Sequence, residues 1–366
     1  MSSKPSSKEN PSPEVTRRQL LQWGLVGGAG ALLLPEEAEA RPRLSQPSIP
    51  GLGNVGDIGS MVQGYGWRHN GLVVSAQSPD VYPIISSAPN AATVQRMVNA
   101  IMMKLSGQAT PSKAWGSMFG QGDRVGILID EHGNHRTRTR QATIQAVIAG
   151  LRSAGVSLNQ IVIWCQFGRY LPTLGYKINL RGRGLKAVGA DQVGYNRRYG
   201  LKMKRGMFGK TLGLSNIVTS LCTHIINIAS LEDHPIIGAR LSLAQQAMSS
   251  LQGGQIFARR WGGVGIGTVA AWNIMRQRFV LHFVDGLAGA YNGGLNAWHP
   301  ETIFGGTDPV ALDRIAFGYI ESERQRTGKP QISGTRRAPT HINHAAANAV
   351  GVANLLRIRH LRLRVK

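Results

Sequence analysis

Four stretches of this chain are apolar for about one strand's length and leave almost no polar face. They fall at residues 123–130, 160–165, 224–229 and 278–285, with cores such as Val125-Gly126-Ile127-Leu128-Ile129 and Ile161-Val162-Ile163-Trp164. A strand with no polar face must be covered on both sides, a condition met by parallel sheets packed between helices. The intervening sequence supplies the covers. Residues 93–105 space Val94, Met97, Val98, Ile101 and Met102 at helical intervals. Residues 139–154 bring Ile144, Val147, Ile148 and Leu151 to one face, with Gly155 as the stop. Further helices are predicted at 214–222, at 239–251 (Leu241, Leu243, Ala244, Ala247, Met248), at 307–326 and at 341–353. Residues 361–366 alternate Leu361, Leu363 and Val365 with Arg362, Arg364 and Lys366. That period of two predicts a strand with one apolar and one basic face, suited to a sheet edge. The expected fold is therefore α/β, two-lobed, with mainly parallel sheets covered by helices. The first lobe is set at 72–213 and the second, ending in the basic strand, at 214–366.

What precedes this body reads differently. Arg17 and Arg18 stand directly before a short, glycine-rich apolar run at 23–34, and Ala38-Glu39-Ala40 follows with small residues. Residues 1–40 thus resemble a twin-arginine export signal. The expected partner there is the twin-arginine export machinery, and the expected location is the periplasm or beyond the cytoplasmic membrane. An uncleaved anchor is the alternative. No run of about 18 apolar residues predicts a conventional span. Residues 41–71 are rich in Pro and Gly and read as an extended arm.

Charge is the compositional outlier: 42 Lys and Arg against 19 Asp and Glu give +23 over 366 residues. Such a balance suits an anionic polymer, a lipid headgroup or an acidic protein, while export disfavours cellular nucleic acid as the partner. The densest basic run holds Arg181, Arg183, Lys186, Arg197, Arg198, Lys202, Lys204 and Arg205, with Tyr176, Tyr195 and Tyr199 available to stack. A solvated charged loop is the default reading of the same residues. Two cysteines, Cys165 and Cys222, exclude a disulfide scaffold.

Acidic residues are scarce, so their placement carries information. Asp130, Glu131, Glu232, Asp233 and Asp285 fall at or just past the ends of three expected strands, the edge at which parallel sheets bind ligands. His132 and His135 continue the first group and His234 the second. Carboxylate and imidazole at such spacing form a candidate set for a small ligand or a metal ion. Backbone hydrogen bonding within loops is the competing reading. Thr307-Asp308-Pro309 is a helix start, with Thr307 as expected cap, and Asp313 is left to bond across a junction. Gly262 to Gly267 reads as a glycine loop before a helix, without the preceding apolar strand or acidic partner of a dinucleotide site.

Several segments, in order, resemble one family. They are Ala114-Trp115, Gly122 to Ile127, Ala146 to Gly155, Ile161 to Trp164, Gly175-Tyr176, Ile225 to Ile228, Leu231 to His234, Asp285 to Gly294 and, most specific, Gly306 to Asp313. From about Ala114 to Gly351 the chain resembles the family called domain of unknown function 362. The resemblance implies a two-part α/β fold and no established reaction. At four places the residues depart from the family pattern. Leu128-Ile129-Asp130 lacks its lysine, and Trp164-Cys165-Gln166 replaces Trp-Asp-Arg. Glu232-Asp233-His234 stands for Lys-Asp-His, and Leu243-Ala244-Gln245 for Leu-Lys-Asn. Two functions follow as expectations. One is an exported protein holding a small ligand or metal in an interlobe cleft, by a reaction the sequence does not name. The other is a non-catalytic paralogue, a binding or assembly subunit for an anionic partner.

Overall fold

The apolar runs become neighbouring strands in one sheet. The computed structural model describes residues 69–83, 88–131, 137–202, 211–258 and 262–366. The signal with Arg17 and Arg18, nearly all of the arm, and His132, His135, Lys204 and Arg205 lie outside the described residues.

Twelve strands and nine helices are described. In chain order they are β1 (Leu72–Gln77), α1 (Ala91–Ser106), α2 (Pro111–Gly116), β2 (Val125–Ile129), α3 (Gln141–Ser153), β3 (Ile161–Cys165), β4 (Lys186–Gly189), α4 (Ala190–Val193), β5 (Tyr195–Lys202) and β6 (Thr211–Ser215). Then follow β7 (His224–His234), β8 (Gly238–Ala239), α5 (Ser242–Ser250), α6 (Gly262–Ala271), α7 (Asn273–Arg278), β9 (Phe279–Tyr291), β10 (Asn296–Trp298), β11 (Thr302–Gly306), α8 (Pro309–Arg326), α9 (Thr340–Ala347) and β12 (Arg359–Arg364). Ten strands form one sheet in the order β12-β1-β11-β9-β7-β2-β3-β4, with β10 beside β9 and β8 beside β7. From β9 to β4 the pairing is parallel throughout, and β11 turns antiparallel to β9. This is the mainly parallel α/β fold that the periodicity predicts. Because β7 pairs with β2, strands from both halves of the chain share the sheet.

The two faces are covered by different parts of the chain. Val125, Ile127 and Ile129 point into a core with Val94, Met97, Ile101, Trp115, Ile144, Val147 and Leu151, from α1, α2 and α3. Leu128 points the other way, into a core with Leu243, Ala247, Val269, Leu312 and Phe317, from α5, α6 and α8. Each fully buried aliphatic side chain contributes about 1.5–3 kcal/mol, which is why strands apolar on both faces set the architecture.

The structure corrects several local expectations. Residues 214–222 are not a helix: Leu214 and Ser215 end β6, and a single π turn spans Ile217–Leu221. β7 and β9 run well past the expected ends, so Glu232, Asp233 and Asp285 lie within strands. A bulge offsets the two strands, since Ser230 pairs with Asp285 but Leu231 with Gly289.

The glycine run is no loop. It forms α6, whose Gly263 and Gly267 lie four residues apart on the face toward α9. A Cβ on Gly267 would come within 2.9 Å of the Ala345 amide nitrogen. Bare glycines therefore let the two helix backbones approach, which is the reason for the run.

Asp308, not Thr307, caps α8. Its Oδ1 accepts the amides of Val310 and Ala311 at 2.9 Å each, and its Oδ2 accepts those of Gly71 at 2.8 Å and Val352 at 3.0 Å. Asp313 crosses to α5, where its two oxygens accept the amides of Ser242 at 2.9 Å and Leu243 at 2.8 Å. The Asp313 carboxyl group thus supplies the N-terminal partner that α5 lacks in its own sequence.

Two outcomes follow. Asp313→Ala should cost about 2–3 kcal/mol in denaturant unfolding, and Asp313→Asn less, because one carboxamide oxygen still accepts. Gly267→Ala should destabilise by about 1–3 kcal/mol despite a gain in helix propensity of about 1 kcal/mol, since the α9 backbone occupies the space.

Candidate functional site

β2 and β7 are adjacent, yet the chain leaves them toward opposite faces. From β2 it passes to α3 and β3; from β7 it passes to α5, α6, α7 and β9. Their pairing ends at Ile129 opposite Ile228. This is a topological switch point of the sheet, the place where open α/β folds form their ligand crevice.

Side chains from both faces converge here on one backbone oxygen. The Ile228 carbonyl accepts the Thr139 hydroxyl at 2.9 Å and the Gln245 Nε2 amide at 3.2 Å. Thr139 Oγ1 in turn accepts the Asp130 amide at 3.1 Å. Asp130, fully buried, faces Arg240 with Oδ1 3.5 Å from Nε. Arg240 also donates its backbone amide to the Glu232 carbonyl at 3.1 Å. Glu232 is partly buried, and burial, with the nearby Asp130 charge, pushes its carboxyl up to about 8, against the pull of Arg240. On the β3 side, Glu131 Oε1 accepts the Gln166 amide at 3.0 Å, and Gln255 Nε2 donates to Gln166 Oε1 at 2.6 Å.

Helix α5 forms the wall of this crevice and is the part that the sequence reading missed. The sequence predicts a helix over residues 239–251 from its apolar positions, and all nine residues of α5, polar ones included, are buried. Ser242, Gln245, Gln246, Ser249 and Ser250 are therefore polar groups inside the protein. Ser242 is satisfied: its hydroxyl lies 2.7 Å from His282 Nδ1 and 3.0 Å from Asn227 Nδ2. Gln245 Oε1, Gln246 Oε1, Ser249 Oγ and Ser250 Oγ have no hydrogen-bond partner, nor does Ser230 Oγ on β7. Buried polar atoms are paired in the great majority of cases, so a group of orphans along one helix needs an explanation. The readable signal was the helix itself, with five Ser and Gln in nine residues.

The expected acidic set divides into two groups. Asp130, Glu131 and Glu232 stand at the crevice. Asp233 is engaged elsewhere, accepting from the Gly294 amide at 2.9 Å and pairing with Arg324 at 3.3 Å and Arg337 at 3.2 Å. His234 Nδ1 accepts the amides of Ile236 and Ile237 and so holds its own turn. Asp285 accepts the amides of Arg140 at 2.8 Å and Leu287 at 3.1 Å, fixing the start of α3; burial raises its pKa. Among the described residues no three His, Cys, Asp or Glu side chains converge to hold a metal ion. Both cysteines are buried, and burial raises both thiols, Cys222 to about 12, so neither supplies a ready thiolate.

The basic run is divided between the approach to β4, β4 itself and β5. Arg181 and Arg183 are exposed before β4, and Arg197 and Arg198 are exposed on β5, which the chain reaches from the other end of β4. Lys186 is buried within β4 and donates Nζ to the Gly182 carbonyl, so it leaves the exposed footprint. Lys202 lies in β5. Of the tyrosines expected to stack, Tyr176 is buried, Tyr195 is partly buried and only Tyr199 is exposed, at 46%.

Compared with known proteins, the chain matches no family model and no curated protein.

The crevice has a pH signature. Glu232 holds its proton to about 8 when folded, against 4.5 for the ordinary carboxyl. The associated stability is complete below about pH 4.5 and is lost as pH rises through about 8. Melting temperature should fall over that window, and Glu232→Gln should flatten the profile. A slope remains, to which Asp313, also pushed up to about 8 by burial, and the raised Asp285 and Asp308 contribute.

Proposed function

We propose that this is an exported binding protein that takes a small polar ligand, rich in hydrogen-bond donors, into the crevice beyond β2 and β7. The observation that carries the reading is the wholly buried polar helix α5, whose Gln245, Gln246, Ser249 and Ser250 keep polar atoms without partners and whose Gln245 reaches the Ile228 carbonyl where the β2–β7 pairing ends. A ligand with amine, amide or hydroxyl donors would satisfy the two carboxamide oxygens. Glu232, held protonated near neutral pH by burial, would offer a donor of its own. The Asp130–Arg240 pair would give the crevice a fixed dipole.

Export rests on the Arg17-Arg18 signal, and the relationship to domain of unknown function 362 rests on the ordered segments from Ala114 to Asp313. In this reading the protein is a divergent relative. The Asp233-His234 pair, shared with the family pattern, works here as an anchor for Arg324, Arg337 and a turn. That division supports binding more than catalysis. A metal remains the second occupant of the reading, through His132 and His135 with Asp130 and Glu131.

Native mass spectrometry and metal analysis of the protein purified after native export test both occupants. An organic adduct, with substoichiometric metal and a melting temperature unchanged by chelation, is the expected result. Ser249→Ala sharpens the test. In an empty crevice, removing an orphaned hydroxyl should stabilise by about 1 kcal/mol. In an occupied one, it should instead lower adduct retention and melting temperature. A bare mass together with stabilisation by Ser249→Ala would overturn the proposal.

A further inference from the structure

The last strand combines an open backbone edge with a row of cations. Among the described residues β12 pairs only with β1, at one end of the sheet. In this parallel pairing Arg359 donates its amide to the Gly71 carbonyl at 2.7 Å, and Val365 donates to that of Gln77 at 2.9 Å. Backbone groups of alternate residues point to alternate sides, so His360, Arg362 and Arg364 turn theirs away from β1. Leu361, Leu363 and Val365 pack toward the α1 core, which leaves the side chains of His360, Arg362 and Arg364 on the other face. That face continues into a groove of about 380 Å³ lined by Arg314, Tyr319, Leu355, His360 and Arg362. Beside it Leu356 is 96% exposed, at the turn that enters β12. No Asp or Glu follows Glu323 in the sequence, and Glu321, which also lines the groove, is taken up by the Ile332 and Ser333 amides and the Ser333 hydroxyl.

We propose that the open edge of β12 accepts an extended acidic segment of a partner protein as an added strand. Its backbone would pair with the outward groups of His360, Arg362 and Arg364. Its carboxylates, on alternate residues, would meet the arginine row, and an apolar residue would cover Leu356. Charge argues against a second copy of this chain as occupant, because pairing two such edges sets arginine against arginine or histidine. An anionic surface without strands would use the charges but not the backbone edge.

The test uses the full chain and a labelled eight-residue peptide of alternating Glu and Val. Controls are the Lys–Val counterpart and the Glu–Val peptide N-methylated along one edge. The Glu–Val peptide should bind the parent, and both controls should bind about tenfold more weakly or worse, as expected for two lost hydrogen bonds or reversed charge. Arg362→Pro removes an outward amide without touching the pairing to β1, and should weaken binding comparably at unchanged melting temperature. Arg362→Gln/Arg364→Gln should bind weakly at low salt and converge with the parent at high salt. Equal binding of methylated and unmethylated peptides would overturn the proposal in favour of charge alone. That comparison uses the parent protein, so it holds even if Arg362→Pro fails to fold. A parent dimer that Arg362→Pro dissociates would overturn it in favour of self-association.

Discussion

Two carboxylates at the head of α8 hold four separate parts of the chain in place. Asp308 takes the amides of its own first turn, of the entry to β1 and of the segment after α9. Asp313, one turn along, takes the first two amides of α5. Without Asp313 the amino end of α5 would carry buried N–H groups with nothing to receive them. The position of α5 decides where Ser242 meets His282 and Asn227, and where Gln245 meets the Ile228 carbonyl. The crevice is thus built outward from α8, whose acids are spent on amides rather than on a ligand.

This arrangement explains how much was legible beforehand. Strands covered on both faces announce themselves by composition, and Val125 to Ile129 and Ile161 to Cys165 needed no tertiary information. The alternation at Leu361 to Val365 was equally local and correctly placed an edge strand with one basic face. Other features depend on distant partners. Whether Gly263 and Gly267 make a loop or a helix depends on α9 lying against them, a contact across more than seventy residues that local periodicity cannot register. The polar face of α5 has the same pattern as a solvated helix, and only the packing of α6 and α8 around it turns that face inward.

The acidic residues teach a related point. In a chain with 19 acids and 42 bases, each carboxylate stands out, and strand ends are sensible places to look. Yet Asp233, Asp285, Asp308 and Asp313 all serve backbone amides, and Asp233 two arginines as well. Scarcity raised their visibility, but buried amides at helix starts and turns need acceptors as strongly as any ligand does. What distinguishes the crevice is the reverse condition, polar atoms left over after such demands are met.

The insertion of β1 between β11 and β12 has a consequence for the order of assembly. The residue that leads into it, Gly71, is tied to Asp308, 237 positions later, and its flanking strands β11 and β12 are likewise distant in sequence, β12 the more so. The contacts that seat it are among the least local in the molecule, and closing so long a segment carries a large entropic cost before any pairing compensates. During synthesis β2, β3 and β4 can find one another early, while β1 must wait for residues 302–306 to gain its first neighbour and for 359–364 to gain its second. Among the described residues the first and last strands thus lie side by side, so a chain that lacks residues 359–364 leaves β1 with a bare edge.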